Sequence, residues 1–298
     1  MADTTVNTTE SIMVSIMENM EKNKQNNQIW KILLGVCLIA AVICGIVLGV
    51  RQHAQSKEQK RLEELAAMTT QEMPEPSSAP VQEPPEEPKT PDPFEELRQM
   101  GIPVPEKEVD FETLKEEVNE DIYAWLYIPD STIDFPVLRH PTDNSYYLLH
   151  NLDGSSGRPG CIYTENYNSM DFTDPNTVMY GHNMRAGTMF AGLHNYEDEE
   201  FFAEHPYIYV YTPEKLFVYE VFAAYEFSDL HLLLNFDFTS EQVFQNFLDD
   251  IYEMRSMNCN TKEDVEVTAK NRILTLSTCV TGKDDKRYLV QGVLLNED

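Results

Sequence analysis

The stretch ILTLSTCVTGKDDKRYLVQGVLL, residues 273–295, sets one cysteine and one arginine where chemistry is possible. Cys279 closes a first strand-like run and Arg287 opens a second. Along the first run side chains alternate, so Thr275, Ser277 and Cys279 share the more polar face, while Leu274, Leu276, Thr278 and Val280 share the other. A cysteine kept only for packing would sit among the leucines. The residues between Cys279 and Arg287 include Gly282 and a run of charges, the composition of a turn. If the two runs pair, Arg287 returns beside Cys279. A nearby cation raises the thiolate fraction of a thiol, and an arginine there can also hold a developing oxyanion.

A thiol nucleophile needs a proton donor for its leaving group. Among the seven histidines, His182 stands out in NTVMYGHNMRAGTMF, residues 176–190. It lies just past a strand-like run that Gly181 ends, whereas the others sit in polar, proline-bounded or loop stretches. Cys279, His182 and Arg287 are therefore the candidate catalytic residues. Ser277, on the cysteine's face, is a candidate for binding substrate backbone, and Asn183 and Tyr167 are candidates for the rim of a substrate site. No metal site is expected: the acidic run EDEE at 197–200 lacks the ligand spacing of a calcium loop and reads as solvated helix surface. Thiol chemistry of this kind calls for no cofactor.

The elements that must position these groups are short apolar runs bounded by turn residues: AWLYI, IDFPVL, CIYTE, TVMYG, YIYVYT, LFVYEVFAAYEF, ILTLSTC and YLVQGVLL. These eight runs, with one long helix among them, predict a mainly antiparallel β-barrel with peripheral helices. The helix is TSEQVFQNFLDDIYEMRSM, 239–257. Thr239 and Gln242 have the spacing of a capping box, and Val243, Phe244, Phe247, Leu248, Ile251 and Tyr252 form its apolar face. FEELRQM and DFETLKEEVN predict two short helices ahead of the barrel.

Upstream, IWKILLGVCLIAAVICGIVLGV at 29–50 carries one charge, Lys31. At about 1.5 Å per residue it crosses the roughly 30 Å of a hydrocarbon core, which predicts a retained signal-anchor. The expected order is a cytoplasmic tail at 1–28, a transmembrane helix at 29–50, a charged and proline-rich linker at 51–93 and a globular domain at 94–298. The tail has Ile12, Met13, Ile16, Met17 and Met20 at helical spacing, which fits a small amphipathic helix or a frayed end. QSKEQKRLEELAAM, 55–68, predicts a charged helix, and the proline-dense stretch 74–93 a stiff spacer of roughly 60 Å. Basic residues flank both ends of the span, so charge does not set its orientation.

The chain has 22 basic and 51 acidic residues, a net charge of −29, and residues after 90 carry 14 and 39 of these. That balance excludes a nucleic-acid partner, which needs a basic stripe, and suits a solvated extracytoplasmic domain. Of five cysteines, Cys37 and Cys44 lie in the apolar run, which leaves an odd number beyond it. No dense disulfide framework is implied. Cys161 reads as a packing residue, with a Cys161–Cys259 bridge left open.

TLSTC with a following arginine, preceded by VMYGHNM, resembles the sortases, membrane-anchored cysteine transpeptidases of Gram-positive bacteria. The resemblance runs from about Asn119 to Leu295. The helices ahead of the barrel and the helix at 239–257 resemble the class B branch. The family implies an eight-stranded sortase barrel outside the membrane, with Cys279 as nucleophile, His182 as acid/base and Arg287 as oxyanion or substrate clamp. It implies as partners surface proteins bearing a C-terminal sorting motif, cleaved after threonine, and an amine acceptor from a cell-wall precursor or a protein. A pilin-linking sortase, a cysteine endopeptidase using water, and a non-enzymatic binding barrel anchored to the membrane are the alternatives.

Overall fold

The computed structural model describes residues 4–69, 94–254, 256 and 258–296. The chain forms two compact units, Met1–Lys57 and Glu58–Asp298. Helix α1 (Thr4–Met68) supplies the described part of the first and the opening element of the second. Its segment from Leu33 is long and apolar enough to cross a membrane. The proline-dense spacer predicted at 74–93 lies outside the described residues.

The second unit starts well before residue 94, where the globular domain was expected. Leu62 and Leu65 are buried in its main core, and the buried Glu58 carboxylate accepts the Leu152 N–H at 3.0 Å. The charged helix predicted at 55–68 thus lays apolar side chains on the domain from Glu58 onward. Two short helices follow, α2 (Glu95–Gln99) and α3 (Phe111–Thr113), the latter continuing as a π-helical turn to Val118. Asp110 caps α3, its side chain accepting the Thr113 N–H.

The strands are β1 (Ile122–Tyr127), β2 (Asp134–Leu138), β3 (Ile162–Thr164), β4 (Asn176–Tyr180), β5 (Tyr207–Tyr211), β6 (Leu216–Ser228), β7 (Asn260–Thr261), β8 (Ile273–Val280) and β9 (Lys283–Leu294). They run in the order β5-β1-β2-β3-β4-β8-β9-β6, and β6 pairs back to β5. This closes an eight-stranded barrel, with the two-residue β7 appended to β6. Each predicted run corresponds to one barrel strand. Pairing is antiparallel except at β2–β3 and β4–β8. Closure leaves no barrel edge free to pair with another chain.

Short helices join the strands: α4 (Tyr146–Leu149), a 3₁₀ helix (Phe190–Glu197), α5 (Glu199–Glu204), α6 (Leu232–Asn235) and α7 (Glu241–Glu253). Helix α7 buries Phe244, Phe247, Leu248 and Ile251 against Ile273, Leu289 and Val293 on the outer barrel wall. Truncating Phe247 to alanine is expected to cost about 3–5 kcal/mol. Helix α7 is shorter than the predicted 239–257, and the expected capping box does not form. Ser240 is the N-cap and makes no side-chain cap bond. Thr239 instead donates its N–H and hydroxyl to Asp237 Oδ1 at 3.1 and 2.6 Å, and Gln242 donates to Asn246. The aspartate two residues ahead of Thr239 offers a tighter local turn than the helix end does.

Candidate active site

Strand β8 is walled on both faces. Leu274 and Leu276 belong to the core that includes the barrel interior, while Ile273, on the face shared by Thr275, Ser277 and Cys279, packs under α7. Only the last residues of β8 escape cover, and Cys279 is exposed. In the antiparallel β8–β9 ladder Cys279 lies directly opposite Arg287. Directly paired residues share a face and hold their Cβ atoms roughly 4.5–5.5 Å apart. The register shifts just past Cys279, where Val280 pairs with Lys283, and Gly282 takes the tight turn at φ 78°. The segment expected as a loop between Cys279 and Arg287 is therefore mostly a continuation of the hairpin. Arg287 is half-buried, and its Nη1 donates to the carbonyls of Asp284 and Lys286 at 3.1 and 2.8 Å.

His182 stands just beyond the end of β4, the strand parallel to β8. Gly181 is required there by packing: a Cβ would fall 2.5 Å from Ile162 Cδ1 and 2.8 Å from the Phe190 ring. Two backbone ties hold this turn to the cysteine strand. Gly181 N–H donates to the Ser277 carbonyl at 3.2 Å, and the Thr278 hydroxyl donates to the Gly181 carbonyl at 2.8 Å. The His182 side chain is buried, and Nε2–H donates to the Leu148 carbonyl at 2.7 Å. Burial lowers the pKa of His182 below its ordinary value; the Leu148 bond opposes that shift, and the Arg158 guanidinium adds to it.

A cavity of about 230 Å³ is lined by Cys279, His182, Arg287 and Ser277 together. Ser277, two residues before Cys279 on the same strand face, is buried and lines the cavity wall. The other two candidates lie elsewhere. Tyr167 is exposed and meets the ring of His231, a residue of the cavity wall, edge-on at 5.7 Å. Asn183 lines a neighbouring cleft, and its amide donates to the Cys279 carbonyl at 2.9 Å.

Three groups at the site carried no signal in the sequence. His231 Nε2–H donates to Glu165 Oε2 at 2.7 Å, and both residues line the cavity. Burial raises the pKa of Glu165, and burial beside that carboxylate keeps the Tyr180 phenol protonated. Outside the cavity, His194 Nε2 lies 3.1 Å from the Cys279 carbonyl. Both histidines reach the site from loops or short helices, where periodicity carries no information; the Glu197 partner of His194, three residues on, was the one local cue. Cys161 and Cys259 do not form a bridge with each other, and burial pushes the Cys161 thiol well above its ordinary pKa. No cluster of side chains fit to hold a metal ion occurs among the described residues.

A sortase-domain family model matches residues 126–295. Sortase B of Listeria monocytogenes is 36% identical over 184 residues, covering 61% of this chain and 73% of the relative. Among solved structures, sortase B from B. anthracis in complex with AAEK1 superposes with a TM-score of 0.55 at 33% identity, covering 63% of this chain and 84% of that one. The Staphylococcus aureus sortase B–substrate complex gives 0.55 at 30%, covering 63% and 85%. The family match spans more than half the chain and the named relatives share one branch, so this chain belongs to the sortases, a family of cysteine transpeptidases, and is class B-like.

Proposed function

We propose that this protein cleaves a C-terminal sorting motif after threonine and transfers the acyl group to an amine, anchoring surface proteins to the cell wall. The observation that carries the reading is one cavity lined by Cys279, His182 and Arg287, with Cys279 and Arg287 facing each other across two paired strands. The substrate complex of the S. aureus relative and a sortase B complexed with triglycine support a peptide donor and an amine acceptor.

The Cys279 thiolate attacks the threonine carbonyl, forming the C–S bond. Arg287, anchored through Nη1, has further N–H donors for the oxyanion or the adjacent substrate backbone. Because Nε2–H of His182 is committed to the Leu148 carbonyl, Nδ1 carries the transferable proton. The imidazolium gives that proton to the departing amine as the C–N bond breaks, which leaves a thioester on Cys279. An incoming amine attacks the thioester and loses a proton to His182 as the C–S bond breaks, which releases the Cys279 thiolate beside the imidazolium. Burial disfavours the imidazolium form of His182. Ser277 binds substrate backbone inside the cavity, Tyr167 extends its rim, and Asn183 acts from behind the nucleophile. The catalytic domain works outside the membrane, anchored by the apolar helix, with a cell-wall precursor or protein amine as acceptor.

The test is product analysis with the full chain in detergent, a sorting peptide and an added oligoglycine amine. The expected product is the ligated peptide, replaced by free acid when the amine is omitted. Free acid alone in both arms would contradict transpeptidation.

A further inference from the structure

His194 sits on the 3₁₀ helix Phe190–Glu197, beside the nucleophile but outside the cavity. Its Nδ1–H donates to Glu197 Oε1 at 2.6 Å, and Nε2 lies 3.1 Å from the Cys279 carbonyl oxygen. Nε2 also lies 3.0 Å from the Asn183 amide nitrogen, so the imidazole, the amide and the Cys279 carbonyl meet at one point, with Glu197 holding the far side of the ring. The ring stacks on Tyr288 at 4.9 Å between centroids, which fixes its plane against β9. The Asn183 amide converges on the same carbonyl at 2.9 Å. The same helix also touches the acid/base: Phe190 N–H donates to the His182 carbonyl at 3.0 Å. One short helix therefore grips the backbone of both residues that must move a proton between them.

We propose that His194, held by Glu197, is a positioning residue that clamps the Cys279 carbonyl and so sets the nucleophile relative to His182. Without the clamp, the exposed Cys279 stands one residue from the end of β8, just where its register with β9 breaks. Strand ends of this kind open locally far more readily than the strand centre. Small errors in placing a reacting atom are costly in rate. The role in the reaction rests on the transferase reading above; the clamp itself does not.

The test compares His194→Phe, which keeps the ring stack but no donor, with His194→Gln, whose amide still reaches the carbonyl. Two readouts are taken on the full chain in detergent: hydrogen–deuterium exchange of peptides spanning 279–284, and the rate of Cys279 acylation by a sorting peptide. His194→Phe is expected to exchange about tenfold faster there and to acylate about tenfold slower at saturating peptide, the size of one strongly held hydrogen bond, with KM within about twofold. His194→Gln should recover both to within about threefold. Should the phenylalanine variant not fold, Glu197→Ala, at a partly exposed side chain, is expected to give about a threefold loss in both. Unchanged exchange, or glutamine as poor as phenylalanine, overturns the clamp. Faster exchange with unchanged acylation would make His194 a brace of the fold and overturn its part in the reaction. Wild-type protein that no peptide acylates counts against the transferase reading, while the exchange arm still decides the clamp.

Discussion

Thr275 and Cys279 lie on one face of β8, opposite Gln291 and Arg287 on the same face of β9. The first pair is saturated. Thr275 donates to Asn176 Oδ1 at 2.8 Å, Gln291 donates to Thr275 at 2.8 Å, and Tyr225 donates to Gln291 at 3.0 Å, all buried. This chain of bonds ties β6, β9, β8 and β4 together and fixes their register. The second pair, near the hairpin end, is open to solvent and leaves its thiol free. A slip of one residue would turn Cys279 to the opposite face of the strand. The saturated pair therefore stabilises the register that the open pair needs for chemistry.

That contrast can be broken most severely at the open end. Cys279→Ala removes the proposed nucleophile and is expected to lower peptide acylation by at least ~10⁴-fold, read as thioester formation, with the thermal melt unchanged. Arg287→Ala should lower the acylation rate by about 10²–10³-fold, the scale of a lost oxyanion donor, measured under single-turnover conditions. At the closed end, Gln291→Leu should behave in the opposite way. It leaves buried Tyr225 and Thr275 short of partners, so denaturant unfolding should show a loss of about 1–3 kcal/mol, with acylation per folded molecule retained.

The smallest effect concerns His182. Its folded-state pKa lies below the ordinary 6.5, so the unfolded chain takes up the proton first as the medium acidifies. Its contribution to stability is thus complete above about pH 6.5 and is lost as pH falls toward the lowered value. Arg158→Gln, at an exposed position, should move the His182 titration midpoint upward by NMR, because the nearby charge that disfavours the imidazolium is gone.

Much of this design is legible in the sequence. Eight apolar runs bounded by turn residues became the barrel strands because closure buries each of them. Cys279 and Arg287 were legible as partners because a hairpin leaves little freedom between two strands joined by a glycine turn. What escaped was non-local. Leu62 and Leu65 stand in a heavily charged segment, and only the domain surface shows that they are buried. His231 and Glu165 are brought together across 66 positions by the barrel, and no spacing rule links them. The capping box failed because Asp237 competed for Thr239.

The most direct test of the account is mass spectrometry of the full chain in detergent after reaction with a panel of sorting peptides. The account predicts a thioacyl adduct mapped to Cys279, absent in Cys279→Ala and strongly reduced in His182→Ala and Arg287→Ala. An adduct on Cys259 instead, or none on a folded protein with any peptide, would contradict it.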